Sequence, residues 1–335
     1  MLQQQTQKAM LTRYNENQKQ GHYESFFIRG NHPNKPLAFW FRYTIFSPKD
    51  NPQNAIAEIW GIFFDSEKNN HTLIKNEVPL HQCYFNKEKL DVKITNSSLD
   101  ENKLYGNIRN IIEKTSLQWD LRYSGDQPPL FDLPLNLYNG AFPKAKALVG
   151  LPLARFDGSI KVNNKKVNIK NWIGSVNHNW GTKHTDLYAW GQVAGFDNAP
   201  NSFLELATAK LKMGPLWTPF LTPIVLRHNN KEYQLNKLSK VFRRATFKYF
   251  EWKFEAKSKE VILKGKIQAT KKDFICLRYY NPPGGEKYCL NSKLAHCELQ
   301  VHDLQTNRKD KLIAMNRAAF EILTDKKDHG FHFQA

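Results

Sequence analysis

Among its 335 residues the chain has only four cysteines and four methionines. Cys83, Cys276, Cys289 and Cys297 include no CxxC pair, and their spacing matches neither a zinc site nor a small disulfide scaffold. They are expected to be reduced and mostly buried. No stretch approaches the roughly 18 apolar residues that a spanning helix needs. Residues 1–20 are rich in Gln, Lys and Asn and lack the apolar core of a secretory signal, so a cytoplasmic home is the default expectation, with peripheral membrane association left open. No Gly-x-Ser-x-Gly occurs, which disfavours a serine hydrolase. The loop Asn281-Pro282-Pro283-Gly284-Gly285-Glu286 lacks the glycine spacing and strand-to-helix setting of a dinucleotide site, and no cofactor is implied. Helical periodicity is also scarce, with short helices expected only in the leading Gln-rich segment and over 317–324.

Acidic side chains are the minority. Asp and Glu number 31 against 49 Lys and Arg, a formal charge of +18. Residues 231–272 alone hold 13 basic and 4 acidic residues. Such a surface suits an anionic membrane, nucleic acid or an acidic partner. Within it, Arg243, Arg244, Lys248 and Lys253 interleave with Phe242, Phe247, Tyr249, Phe250 and Trp252, as a single-strand nucleic-acid platform would. Strand alternation, apolar side chains in and basic ones out, explains the same pattern, and no nucleic-acid module is present.

The chain is rich instead in short, aromatic, β-branched segments of period two, such as 37–46 and 57–64, punctuated by turn residues. Further strands are expected at 104–112, 117–123, 159–162, 167–169, 187–196, 203–211, 224–228, 247–256, 261–270 and 274–280. This pattern predicts an all-β protein of sandwiches or barrels, and the length argues for two units. The boundary is expected within the proline-interrupted stretch 127–152, giving a flexible segment at 1–20 and domains at 21–155 and 156–335. A faint echo, Trp60-Gly61 with Asp65 against Trp190-Gly191 with Asp197, and Trp119 against Trp252, points to duplication.

The densest chemistry lies at 172–197, with three Trp, two His, a Tyr, a Gln and an Asp186 among its side chains. Polar groups mixed with aromatics at this density suggest a ligand cavity. On a strand over 187–193, Tyr188, Trp190 and Gln192 share one face. The same residues have ordinary structural readings: the tryptophans as core anchors, His178 and His184 as hydrogen-bonded turn residues, Asp186 as a turn cap. A metal site from His178, His184 and Asp186 matches no familiar spacing.

The runs His178-Asn179-Trp180-Gly181 and Tyr188-Ala189-Trp190-Gly191-Gln192, together with 38–43, 57–60 and Phe64-Asp65, resemble the lipocalin-like group that includes the AttH-like proteins, carotenoid 1,2-hydratase (hydroxyneurosporene synthase) and, more distantly, tocopherol cyclase. The resemblance spans most of 23–300. It implies two lipocalin-like antiparallel β-barrels side by side with an apolar cavity near their junction. It also implies chemistry in which a carbon–carbon double bond of an isoprenoid is protonated and water or an internal hydroxyl captures the cation; fungal relatives guide cycloadditions. A general acid in a dry pocket and aromatic faces for the cation are what such chemistry needs. On this basis His178, Asp186 and Tyr188 are the expected catalytic residues, with Trp172, Asn177, Trp180, His184, Trp190, Gln192 and Glu205 contacting an apolar small-molecule ligand. Asn177 stands where an acidic residue is expected in the hydratases, and an amide cannot supply the proton. A non-catalytic lipid carrier with a basic membrane-docking face is the alternative.

Overall fold

The computed structural model describes residues 8–237, 241 and 244–335. Part of the Gln-rich leader, residues 1–7, and Phe242 and Arg243 of the aromatic–basic run lie outside the described residues.

Two antiparallel sheets, each curled into a lipocalin-like barrel, lie side by side. The first collects β1 (His22–Asn31), β2 (Leu37–Ser47), β3 (Ile56–Asp65), β4 (Thr72–Pro79), β5 (Tyr84–Phe85), β6 (Asp91–Ile94), β7 (Ser97–Asp100), β8 (Lys103–Asn110), β9 (Thr115–Ser124), β10 (Leu130–Phe131), β11 (Ala145–Val162) and β12 (Lys165–Gly181). The second begins with β13 (Leu187–Phe196) and β14 (Ala199–Lys210). After a small separate hairpin, β15 (Lys212–Met213) and β16 (Leu216–Trp217), it continues through β17 (Ile224–His228), β18 (Lys231–Gln234), β19 (Arg244–Lys248), β20 (Glu251–Lys257), β21 (Val261–Gln268), β22 (Ile275–Tyr280), β23 (Glu286–Asp303) and β24 (Lys309–Thr324).

The duplication is topological. In sheet one the order runs β4-β3-β2-β1-β12-β11-β9-β8-β7-β6-β5, and in sheet two β18-β17-β14-β13-β24-β23-β21-β20-β19, so in both the first strand pairs with the last. The residue echo does not follow this equivalence, since Trp60 lies on the third strand of its sheet and Trp190 on the first of the other. The sheets change over at residues 182–186, downstream of the expected boundary at 155/156. The proline-rich stretch marks a crossing inside the first unit, after which β11 and β12 complete its sheet.

Alternation accounts for the basic run. On β20, Trp252, Phe254 and Ala256 are buried while Lys253, Glu255 and Lys257 point out, and Lys253 and Lys266 both pair with Glu251, at 3.1 and 2.8 Å. Residues 317–324 are not helical. They form the end of β24, where nearly every side chain is buried because one face lines the second barrel and the other meets the first, and burial on both faces erases period two. The cysteines are unpaired, and Cys276, Cys289 and Cys297 are buried.

Residues 8–20, expected as a flexible leader, lie against the first barrel with Ala9, Met10, Thr12 and Tyr14 buried. A buried carboxylate holds them. Glu24 accepts hydrogen bonds from the backbone N–H groups of Arg13 (2.7 Å) and Tyr14 (2.8 Å), and contacts His22 Nε2 at 3.0 Å and His178 Nε2 at 2.8 Å. Burial alone would raise its pKa, but the histidine hydrogen bonds hold it down to about 2. Glu24→Ala should therefore free this segment, seen as rapid tryptic cleavage at Arg13 with the barrel intact, at a cost of about 1–3 kcal/mol. Because the folded value lies below the unfolded one, this contribution is present above the ordinary carboxylate range and is lost as pH falls toward 2.

Between the sheets, Trp40, Trp60, Ile62 and Phe64 of the first pack on Ile275, Leu277, Tyr279, Cys289 and Leu323 of the second. Arg29, fully buried, crosses this seam. Its guanidinium donates to Gln192 Oε1 (2.5 Å), to the carbonyls of Gln192 (3.3 Å) and Arg317 (3.2 Å), and to Asn31 Oδ1 (2.7 Å). Among the described residues no helix is long and apolar enough to cross a membrane.

Candidate active site

Where the sheets meet, an apolar cleft of about 220 Å³ opens beside the changeover at 182–186. Tyr23 and Phe27 come from β1, Asn179 from β12, Tyr188 and Trp190 from β13, Ala207 and Ala209 from β14, and Glu321 from β24. The proline-rich crossing covers one side with Asp132, Leu133, Leu137, Phe142 and Pro143. A larger groove of about 830 Å³ lies at the far edge of the second sheet, away from the junction, where Pro219, Phe220, Ala245 and Phe254 share its walls with Lys253, Glu255, Lys264, Lys266 and Glu298.

The expected residues divide by strand parity. On β12, Val176, His178 and Trp180 point into the first barrel, while Asn177 and Asn179 face the junction. His178 is therefore outside the cleft. It stacks on Phe26 with ring centroids 4.4 Å apart and binds Ala9 O through Nδ1. Trp172 stacks on Phe39 and Trp180 lies against His178 and Tyr138, all within the first core. Asp186 sits on the rim, held by Lys183 (2.5 Å) and the N–H of Lys212 (2.9 Å). Against the upward push of burial these partners keep its carboxyl below its ordinary value, so it is a stable anion, outside the cleft lining and ill-suited to donate a proton. His178, His184 and Asp186 do not converge.

Tyr188, His184, Trp190, Gln192 and Glu205 do belong to the junction. His184 is sandwiched between Tyr23 (3.9 Å) and Tyr279 (5.6 Å); burial, reinforced by the charges of Arg42 and Lys287, lowers its pKa to about 3 and keeps it neutral. Burial raises the Tyr188 phenol well above its ordinary value. Trp190 Nε1 donates to Glu205 Oε1 (2.5 Å), and Gln192 Nε2 donates to Glu205 Oε2 (2.8 Å) and to Asn177 Oδ1 (2.8 Å). The Gln192 carbonyl oxygen in turn accepts from Arg29 and from Ser175 Oγ (2.6 Å). Asn177 is thus a structural link that orients Gln192.

Asp132 was not legible as a site residue. Its Oδ1 is enclosed without a hydrogen-bond partner among the described residues. It lines both the cleft and a small recess of about 20 Å³ off its wall, shared with Glu205, Trp190, Ala207 and Pro223. Burial, then the neighbouring Glu205 charge, raises its carboxyl well above the usual range. Glu205 is likewise pushed upward by burial, to about 8, in spite of the hydrogen bonds from Trp190 and Gln192. A buried carboxyl, Glu205, and a half-buried one with an enclosed oxygen, Asp132, in one apolar recess favour a retained proton. Glu321, also on the cleft, is instead paired with the fully buried Lys293 at 2.7 Å. The signal for Asp132 lay in its setting, a carboxyl between Phe131 and Leu133 in a stretch too apolar for a linker.

The raised Glu205 value has a measurable cost. Below the ordinary carboxylate range both folded and unfolded states are protonated; above it the unfolded state ionises first. Stability should fall as pH rises from about 4.5 toward 8, and Glu205→Gln should flatten that limb in thermal melts.

Solved structures share this architecture. An AttH protein from Nitrosomonas europaea superposes with a TM-score of 0.57 at 11% identity, covering 94% of this chain and 96% of its own. Kievitone hydratase from Nectria haematococca gives 0.57 at 13% identity over 96% and 95%. CghA gives 0.57 at 7% identity over 97% and 93%. At these identities the likeness concerns the fold. A search of curated proteins finds no significant sequence match. The tocopherol cyclase-like profile, however, matches residues 143–322, from the cleft wall at Pro143 to β24, more than half of the chain, and on that match the chain belongs to the tocopherol cyclase-like family.

Proposed function

We propose that the chain is an acid catalyst that takes an apolar, isoprenoid or lipid-like molecule into the junction cleft and protonates a carbon–carbon double bond, leading to hydration, cyclisation or isomerisation. The observation that carries this reading is Asp132, a carboxyl whose Oδ1 has no hydrogen-bond partner among the described residues, at the wall of an apolar cleft and backed by Glu205. The Asp132 hydroxyl proton passes to one alkene carbon and leaves a carbocation at the other. Trp190, Tyr188, Phe27 and Tyr23 present aromatic faces to that charge. Water, an internal hydroxyl or loss of a neighbouring proton then quenches the cation, and the proton released returns to the carboxylate pair. Neutral His184 can accept a hydrogen bond from the capturing hydroxyl. One fold neighbour named a hydratase and a family named for a cyclase support this reading.

The test is organic extraction of the purified protein with mass spectrometry, then turnover of the extracted class of compound. Product formation that declines at alkaline pH, as the carboxyl pair loses its retained proton, supports the proposal. A stoichiometric ligand returned unchanged under all conditions favours the carrier reading instead.

A further inference from the structure

The cleft's enclosed volume is below the roughly 300–1,000 Å³ of sites that engulf drug-sized ligands. A long apolar molecule would leave part of its length at the mouth, and the mouth is apolar. Phe142 lines the cleft and is still 54% exposed, and Leu135, 65% exposed, lies between the lining residues Leu133 and Leu137. Across the opening, the strand ends carrying Ala209, Leu211 and Leu221 also line the cleft, and the hairpin of β15 and β16 extends from them. Its Met213, Leu216 and Trp217 are 65%, 71% and 48% exposed. Water-facing apolar side chains gathered round one opening mark an interaction surface. The charge there is mainly positive: segments 133–147 and 207–221 contain Lys144, Lys210 and Lys212 at the surface, the buried Lys146 and no Asp or Glu, and the one rim carboxylate, Asp186, is tied to Lys183.

We propose that this collar docks the protein on an anionic lipid bilayer, with Met213, Leu216, Trp217, Leu135 and Phe142 entering the interface and Lys144, Lys210 and Lys212 meeting the headgroups, so that an apolar substrate passes from bilayer to cleft without crossing water. Tryptophan beside aliphatic side chains suits the interface, and lysines gain from an anionic leaflet. The proposal rests on the apolar-ligand reading of the cleft and differs from docking through the basic outer strands, whose Lys253 and Lys266 are engaged by Glu251.

Flotation of the full chain with phosphatidylcholine vesicles, with and without about one third phosphatidylserine, tests it. Binding should be at least tenfold stronger with phosphatidylserine and should fall at least tenfold in the triple variant Met213→Ser, Leu216→Ser, Trp217→Ser, whose circular dichroism should match wild type. Brominated acyl chains should quench fluorescence, and Trp217→Phe should remove most of that quenching. Binding that survives in the triple variant would overturn the proposal, as would equal binding to neutral vesicles, or loss of binding on substituting the exposed Ile111 and Ile112 at the tip between β8 and β9. Asp132→Asn should bind vesicles like wild type, so failure of docking and failure of acid catalysis are read separately.

Discussion

Asp132→Asn is expected to lower turnover by about 10²–10⁴-fold while ligand binding stays within a few-fold, the range that a lost general acid spans. The amide keeps the shape and one acceptor but has no proton to give. Single-turnover assays with the extracted ligand class, alongside equilibrium binding, separate the two quantities. Glu205→Gln should act through Asp132. It removes the neighbouring charge, so Asp132 should titrate lower and the alkaline limb of the rate profile should move to lower pH. The shift distinguishes a partner that tunes the acid from a residue needed only for folding. Equal turnover in wild type and Asp132→Asn would overturn the assignment. The sequence-derived pair leads to a different expectation: His178→Ala should act through stability, since the ring lies inside the first barrel, and Asp186→Asn should change turnover little, since its carboxylate is tied to Lys183 and Lys212.

Arg29→Met should destabilise the protein by about 3–5 kcal/mol, the range for removing one member of a buried charged network, measured by urea unfolding. Four acceptors lose a bond from Arg29 together, among them two backbone carbonyls of the opposite sheet, while Gln192 Oε1 keeps only its bond from Ser175. The backbone beneath cannot readily adjust. Gly174 faces Gly30 across β1 and β12, and a Cβ at Gly174 would lie 1.8 Å from the Arg29 carbonyl oxygen. Strand approach and guanidinium placement are thus set together. Arg29→Lys, which keeps the charge without the planar fork, should recover only part of the loss. A cost below about 1 kcal/mol for Arg29→Met would show that the seam is held by its aromatic packing alone.

What the sequence made legible follows from where period two survives. Strands with one wet face announced themselves, as on β20, where Trp252, Phe254 and Ala256 alternate with charges. Strands buried on both faces did not: residues 317–324 of β24 read as a helix, and the middles of β11, β12 and β23 went unseen because nearly every side chain there is buried; 297–303 of β23, which does alternate buried with exposed, was missed as well. The same physics governed the site. Proximity in sequence grouped His178 with Tyr188, but parity on β12 sends His178 into one barrel while Asn177 and Asn179 turn to the junction. Tyr188, Trp190, Gln192 and Glu205 were found because adjacent strands β13 and β14 bring them together, Gln192 directly opposite Glu205. Asp132 and Glu321 were missed because their proximity to these residues depends on a long crossing and on the closing strand of the second sheet, separations that local pattern does not encode.

Closure of each sheet by its last strand onto its first sets a schedule for synthesis on the ribosome. β1 cannot meet β12 until residues 173–181 have emerged, some 150 residues after β1 itself. At about 5–20 residues per second that is a wait of roughly 8–30 s, during which one edge of β1, with Phe26 and Ile28, has no partner strand. The second sheet repeats the delay, since β13 waits for residues 318–323. A nascent chain halted before Trp172 would hold an open, apolar strand edge. Ribosome-bound intermediates of that length should recruit holdase chaperones, and those extended past Gly181 should release them.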